Sequence, residues 1–314
     1  MFSEKTSFSD IIFQSEKMRS VIETAKKFAV LDAPLLIQGE TGTGKDLFAR
    51  ACHNLSPRGT KKFIAINCAG LPPEDAESEM FGHSDGNNET IGFFEYADGG
   101  TVLLDGISEL SLYLQAKLLR FITDGTFKRV GEEKGHYANV RVICTSQVPL
   151  HICVKQGKMR GDLFHRLDVL TINIPSLRER PEDIDLLLPL FIKQISTRLS
   201  INQPSYNDTF LSYLKNYTWS GNIRELYNAL FRACSLSENN QLSVSGLNLI
   251  EQEILSLTVE QFQDETLDEI MGKFEAMVLQ KFYSEYPSTR KLAARLGVSH
   301  TAIANKLKQY GIAR

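Results

Sequence analysis

No apolar run in these 314 residues approaches the roughly 20 needed to cross a bilayer. The opening Met-Phe-Ser-Glu-Lys-Thr-Ser has neither the basic start nor the apolar stretch of an export leader, so no membrane partner is expected. Cysteine is sparse: five residues, an odd number, with no Cys-x-x-Cys pair. That excludes a disulfide framework and a thiolate zinc site, and it implies reduced thiols in a cytoplasmic setting. Cys52, Cys68 and Cys144 fall in apolar contexts and read as core, and the six histidines are scattered. No internal repeat or low-complexity tract is present. The net charge is only −3, which excludes a uniformly polycationic molecule. The charge is uneven, however: residues 288–314 hold Arg290, Lys291, Arg295, Lys306, Lys308 and Arg314 and no acid. That end is expected to meet a polyanion. With 42% hydrophobic and 23% charged residues, the chain is an ordinary globular one, long enough for two or three domains.

Against these absences stands one strong motif. Gly39-Glu40-Thr41-Gly42-Thr43-Gly44-Lys45 has the Gly-x-x-x-x-Gly-Lys spacing of a phosphate-cradling loop. An apolar strand-like run precedes it (residues 33–38) and a helical pattern follows (46–52), which is the context the motif requires. Gly42 and Gly44 let the backbone approach an anion, the N–H groups at the helix start point toward it, and Lys45 supplies a point charge for the terminal phosphates. The next residue is Asp46, where a serine or threonine ordinarily holds Mg²⁺. A carboxylate there acts through a water or leaves the metal to the nucleotide.

Short apolar runs alternate with helical patterns up to about residue 176, which predicts an α/β fold with a parallel sheet covered by helices. Strands are expected over 35–38, 63–67, 101–104, 140–145 and 169–174. From 178 to about 238 the pattern turns all-helical. Pro181 followed by Glu182 and Asp183 marks a helix start, with further helices over 207–216 and 222–236. Residues 233–272 then carry eight acids and no lysine or arginine, and the middle of that stretch reads as a linker. A helix over 266–286 places Leu267, Ile270, Phe274, Met277, Val278 and Phe282 at helix spacing.

Residues 288–307 have the pattern of a helix-turn-helix. Leu292, Ala293 and Leu296 form the inner face of the first helix, Gly297 the turn and Val298 the plug of the corner. Ser299 caps the second helix, and Ile303 and Leu307 bury its back. His300, Thr301, Asn305 and Lys308 are then left toward a DNA groove, with Arg290, Lys291 and Lys306 near phosphates, and the capping Ser299 is counted with them as DNA-binding. The apolar stripe of 266–286 serves a partner copy, the terminal unit itself, or both. A two-fold pair would read the two half-sites of a palindromic operator.

These segments together resemble the AAA+ domain of bacterial enhancer-binding regulators. The likeness runs through Gly39 to Lys45, Phe81-Gly82-His83, Ala97-Asp98-Gly99-Gly100-Thr101-Val102-Leu103-Leu104-Asp105, Gln115-Ala116-Lys117-Leu118-Leu119-Arg120, residues 160–167, Leu177-Arg178-Glu179-Arg180-Pro181 and Trp219-Ser220-Gly221-Asn222-Ile223-Arg224-Glu225-Leu226. It implies a P-loop NTPase domain with an all-helical lid and a Fis-like helix-turn-helix domain: a nucleotide-binding subdomain over 1–176, a lid over 177–238, an acidic linker over 239–265 and the DNA-binding domain over 266–314. It implies that Asp105 holds Mg²⁺, that Ser146 and Gln147 sense the terminal phosphate, that Arg160 and Arg166 reach a neighbouring subunit's nucleotide, and that Arg224 acts from the lid. It also implies ATP as the ligand and, within the family, a likeness to regulators of aromatic amino acid genes that respond to tyrosine. Most of the amino-terminal regulatory region of such regulators is expected to be missing.

Two departures qualify the resemblance. The residue after Asp105 is Gly106, where the family usually has a water-orienting glutamate, so no residue is nominated as catalytic. Losing such a group typically costs about 10² to 10⁴ in rate. The loop over 84–92 lacks the Gly-Ala-Phe-Thr-Gly-Ala of remodelling members. Together they suggest ATP binding with weak hydrolysis at best, and a regulator, mainly a repressor, that forms dimers and higher oligomers such as hexamers. The alternative is an AAA+ activator that remodels RNA polymerase holoenzyme.

Overall fold

The computed structural model describes residues 6–86, 88–237, 240–249 and 266–312. They fall into two compact units divided at residue 249, each considered by itself.

In the first unit five strands, β1 (Leu35–Gln38), β2 (Phe63–Asn67), β3 (Thr101–Asp105), β4 (Arg141–Ser146) and β5 (Thr171–Asn173), form one parallel sheet in the order β2-β3-β4-β1-β5. The interior strands β1 and β4 are buried along their whole length, as a sheet covered on both faces requires. Side-chain alternation splits them between two cores. Leu36, Val102, Leu104, Val142 and Cys144 face one core with Met80, Phe81, Phe94, Leu118 and Phe121. Leu35, Ile37, Leu103 and Ile143 face the other with Met18, Ile22, Ala25 and Phe48. The second core is closed by α1 (Glu16–Ala29) and α2 (Lys45–Leu55), the first by α3 (Leu112–Asp124). Burying such side chains contributes roughly 1.5–3 kcal/mol each. All five cysteines are free and buried, and burial pushes the Cys52 and Cys68 thiols up to about 12.

The expected strands are present, with shifted ends. The last is the shortest: Val169 is 65% exposed, so pairing begins only at Thr171. The helical part comprises α4 (Ile184–Leu199), α5 (Asp208–Asn216) and α6 (Asn222–Ser235) around Trp219, Phe210, Leu226 and Leu230. It runs on past 238: Leu242 and Leu247 are buried in that core. The described residues 240–249 therefore pack onto the helical subdomain through their leucines; they contain no acid, and the acid-bearing 250–265 lies outside the described residues.

The second unit has α7 (Leu267–Glu285), α8 (Thr289–Leu296) and α9 (His300–Gln309). Its small core is Leu279, Leu292, Ala293, Ile303 and Leu307. Among the described residues no helix is long and apolar enough to cross a membrane.

Candidate nucleotide site and DNA-reading surface

The strand register brings the ends of β1, β3 and β4 to one edge of the sheet: Gln38 lies beside Ser146, and Leu104 beside Cys144. A cavity of about 900 Å³ opens there, lined by Thr41 to Phe48, Asp105, Gln147 and Arg224 together with the apolar Ile11, Ile12, Leu187, Phe191 and Tyr227. Ligands of open α/β sheets bind outside the carboxyl ends of the strands in this way.

The phosphate loop starts α2. Gly44 caps that helix with φ 103, a left-handed conformation that favours glycine. Lys45 is only 9% exposed. Its Nζ donates to the carbonyls of Gly39 (2.7 Å) and Glu40 (2.9 Å). Burial lowers its pKa; Asp105 opposes that shift and the charge of Arg224 reinforces it. A cation held only by carbonyls at a cavity wall is ready to pair with phosphate oxygens.

Asp105 ends β3, exposed toward the cavity. Its carboxylate accepts from Thr145 Oγ1 at 2.5 Å, and the same hydroxyl accepts from the Gly106 N–H at 3.0 Å. Among the described residues no group of three or more histidine, cysteine or carboxylate side chains could by itself hold a metal. One oriented carboxylate facing phosphate space does fit Mg²⁺, which binds through one or two carboxylates plus substrate phosphates. Asp105 would hold it, and the ion would neutralise phosphate charge. Asp46 lines the cavity as well, but its carboxylate accepts from Arg50 Nε at 2.9 Å.

Of the two sensor candidates after β4, Gln147 lines the cavity and accepts from Thr41 Oγ1 at 2.9 Å. Ser146 does not reach it. As the last residue of a buried strand its side chain turns inward, and Oγ donates to the Val148 carbonyl at 2.5 Å. Arg224 lines the cavity. Arg160 and Arg166 do not: both are exposed, and Arg160 forms a bidentate pair with Asp162 (3.0 and 2.8 Å). Glu109, the nearest carboxylate after Gly106, is also exposed and outside the lining.

Three residues with no assigned role also belong to this site. Arg180 is 1% exposed and lines the cavity; among the described residues it has only long contacts of 3.4 Å to Asp183 and to the Thr43 carbonyl and no partner for Nε. Arg178 pairs bidentately with Glu40, at 2.8 and 2.5 Å. Asn222 is fully buried and bonds to the phosphate loop. The Leu177-Arg178-Glu179-Arg180-Pro181 and Trp219-Ser220-Gly221-Asn222 segments had stood out only as family motifs, and their reach across more than 130 residues of chain is not legible locally.

In the second unit Ser299 caps α9, its hydroxyl accepting from the Ala302 N–H at 3.2 Å. Arg290, Lys291, His300, Thr301, Asn305 and Lys308 are exposed. His300 Nε2 lies 2.7 Å from Thr289 Oγ1, joining the starts of α8 and α9. Lys306 is not free for phosphate: it sits on the side of α9 facing α7 and pairs with Glu275, which also accepts from Tyr310 Oη at 2.8 Å. Val298 does not plug the corner either. It is 47% exposed, and Ala293 and Ile303 close the core beneath it.

Family models match all three parts. A Sigma-54 interaction domain covers residues 11–173, an AAA+ ATPase lid domain 178–261 and a helix-turn-helix domain 264–313. The HTH-type transcriptional regulatory protein TyrR of Haemophilus influenzae is 65% identical over 313 residues, 100% of this chain and 98% of that protein. The chain belongs to the TyrR family. A second TyrR, from Enterobacter agglomerans, is 49% identical over 99% of the chain, which spans 60% of that protein's length. A structure of NtrX from Brucella abortus in complex with ATP aligns with TM-score 0.72 at 29% identity, covering 98% of this chain and 70% of that one. The TyrR-type chain is thus a helix-turn-helix transcription regulator built on an AAA+ nucleotide-binding domain.

Proposed function

We propose that this regulator takes ATP as an assembly ligand and not as fuel. The observation that carries the reading is the end of β3: Asp105 is oriented by Thr145, and the residue that follows is Gly106, with φ 79 and no carboxylate to orient a water. The neighbouring hairpin (His83–Ser84 with Glu89–Thr90) supports it. Arg129, 8% exposed, binds Glu89 at 2.7 Å and Glu95 at 3.1 and 2.8 Å, tying that segment down. ATP enters the cavity with Mg²⁺ on Asp105, and Arg160 and Arg166 of a neighbouring copy complete the site. The exposed pair suits that role because a guanidinium spreads its charge over phosphate oxygens.

Family membership supports tyrosine, or another aromatic amino acid, as the effector and aromatic amino acid biosynthesis and transport genes as targets. Dimers bind palindromic operators through α8 and α9. ATP and tyrosine together promote a higher oligomer such as a hexamer, with repression as the main result. Ligands that bind only the assembled state shift the population by their differential affinity. Analytical ultracentrifugation with operator DNA tests this: tyrosine is expected to raise the assembly mass only when ATP is present. One unchanged species with both ligands removes the reading.

The Sigma-54 interaction domain match favours a second reading, an ATPase that remodels RNA polymerase. Steady-state hydrolysis separates the two. The assembly reading expects turnover below about 0.1 per second, under the usual enzyme range; brisk turnover would establish the second reading instead.

A further inference from the structure

Three consecutive residues of the phosphate loop are held by one turn of the helical subdomain. Glu40 accepts from Asn222 Nδ2 at 3.1 Å and pairs with Arg178. The Thr41 carbonyl accepts from Asn222 Nδ2 at 3.0 Å, and the Gly42 carbonyl from the Ile223 N–H at 3.1 Å. The backbones touch as well: a Cβ on Gly42 would lie 2.1 Å from the Gly221 carbonyl oxygen. Asn222 is 0% exposed, and its Oδ1 accepts from the Leu177 N–H at 2.7 Å, so both ends of its amide are engaged. Its backbone is left-handed at φ 53, which asparagine tolerates better than most residues but which still carries strain. Arg224, two residues on, lines the cavity.

We propose that Asn222 is a positioning residue for nucleotide binding: it fixes the register between the helical subdomain and the phosphate loop, and thereby aims Arg224 and the loop at the same phosphates. The inference rests on the cavity being the ATP site. A subdomain joined to the loop at three successive residues cannot swing independently of it, so the joint and the loop move together. The amide is chosen for this place because it must donate to two acceptors on the loop and accept from Leu177 at once, with no net charge buried.

The test uses the full chain, with ATP and adenosine each displacing a fluorescent ATP analogue. Asn222→Gly keeps the left-handed backbone and removes the amide. It is expected to weaken ATP about tenfold, and to leave adenosine, which carries no phosphate for Arg224 or the loop to hold, within about twofold. Arg224→Ala should weaken ATP similarly, and the double variant should lose less than the product of the two single losses, because the two act in part through one contact. Should Asn222→Gly fail to fold, Glu40→Gln, which leaves Asn222 in place, is expected to lower the ATP-to-adenosine affinity ratio in the same direction by a smaller factor. Equal losses for ATP and adenosine, additive losses in the double variant, or an unchanged ratio in the folded variants would overturn the proposal. A wild-type chain that binds no ATP overturns the ATP reading itself.

Discussion

Thr145 uses one buried hydroxyl twice, donating to Asp105 and accepting from the Gly106 N–H. Thr145→Val keeps the shape and removes both bonds. The expected result is about 1–3 kcal/mol lower stability from an unpaired buried N–H and a freed carboxylate. ATP affinity should fall in the presence of Mg²⁺ and change little in excess chelator, which calorimetric titration in both conditions checks. Gly106 constrains the same corner differently. Its φ of 79 is left-handed, and the nearest atom to an added Cβ would be Glu109 Cγ at 3.5 Å. Gly106→Ala therefore meets backbone strain and not a clash, about 1–2 kcal/mol, read as a lower Tm with ATP binding retained. Much at this scale was legible in advance. The spacing of Gly39, Gly42, Gly44 and Lys45 placed the loop, and the run ending in Asp105 placed its carboxylate. Of the two residues expected to sense phosphate, strand period turns Ser146 into the core and leaves Gln147 on the cavity wall. Asn222 is visible in the sequence only as part of a motif, because its phosphate-loop partners lie about 180 residues away and its φ cannot be read from composition.

Glu275 on α7 restrains Lys306 and Tyr310, both of which face that helix in the second unit. Hydrogen bonding, from Lys306 first and then Tyr310, holds its carboxyl below the ordinary carboxylate range. A lowered folded pKa contributes stability above the ordinary range that is lost as pH falls through the lowered value. The stability difference between the chain and its Glu275→Gln variant should therefore be full above the ordinary carboxylate range and shrink as pH falls below it, vanishing under the lowered value, in melts of the second unit. Near neutral pH the same variant frees Lys306. Operator binding should then show a log-affinity slope against log salt steeper by about 1, read by fluorescence anisotropy at several salt concentrations. An unchanged slope would mean that Lys306 has no phosphate within reach. The sequence pattern placed α8 and α9 well, from the turn glycine and the Ser299 cap. It placed Lys306 on the wrong side, because an ion pair with a helix 31 residues earlier overrides the local arrangement of charge.

Across the whole chain, the same α7 does two jobs along its length. Its later half buries Leu279 against α8 and α9, while Leu267, Met271 and Phe274 in the earlier half are 73%, 57% and 37% exposed. Both uses foreseen for the stripe thus have residues available. Leu267→Glu with Met271→Glu is expected to weaken operator binding at least tenfold if that face pairs two copies, because one module alone buries little surface on DNA. Binding of ATP by the first unit should be unchanged, and light scattering without DNA would show the loss of the dimer. At this scale the linker expected over 239–265 begins later than composition suggested, since Leu242 and Leu247 anchor its first residues into the helical core, while its acidic part lies outside the described residues.

The chain has a single tryptophan, and it is buried in the helical subdomain with Nε1 donating to the Leu214 carbonyl at 2.6 Å. Nature has thus installed one optical probe, three residues ahead of the amide that grips the phosphate loop. Indole emission during urea titration will report loosening of that subdomain alone, while circular dichroism sums every helix. If the two curves separate without ATP and merge with it, their gap measures in free energy how firmly the bound ligand welds the two layers into one cooperative block.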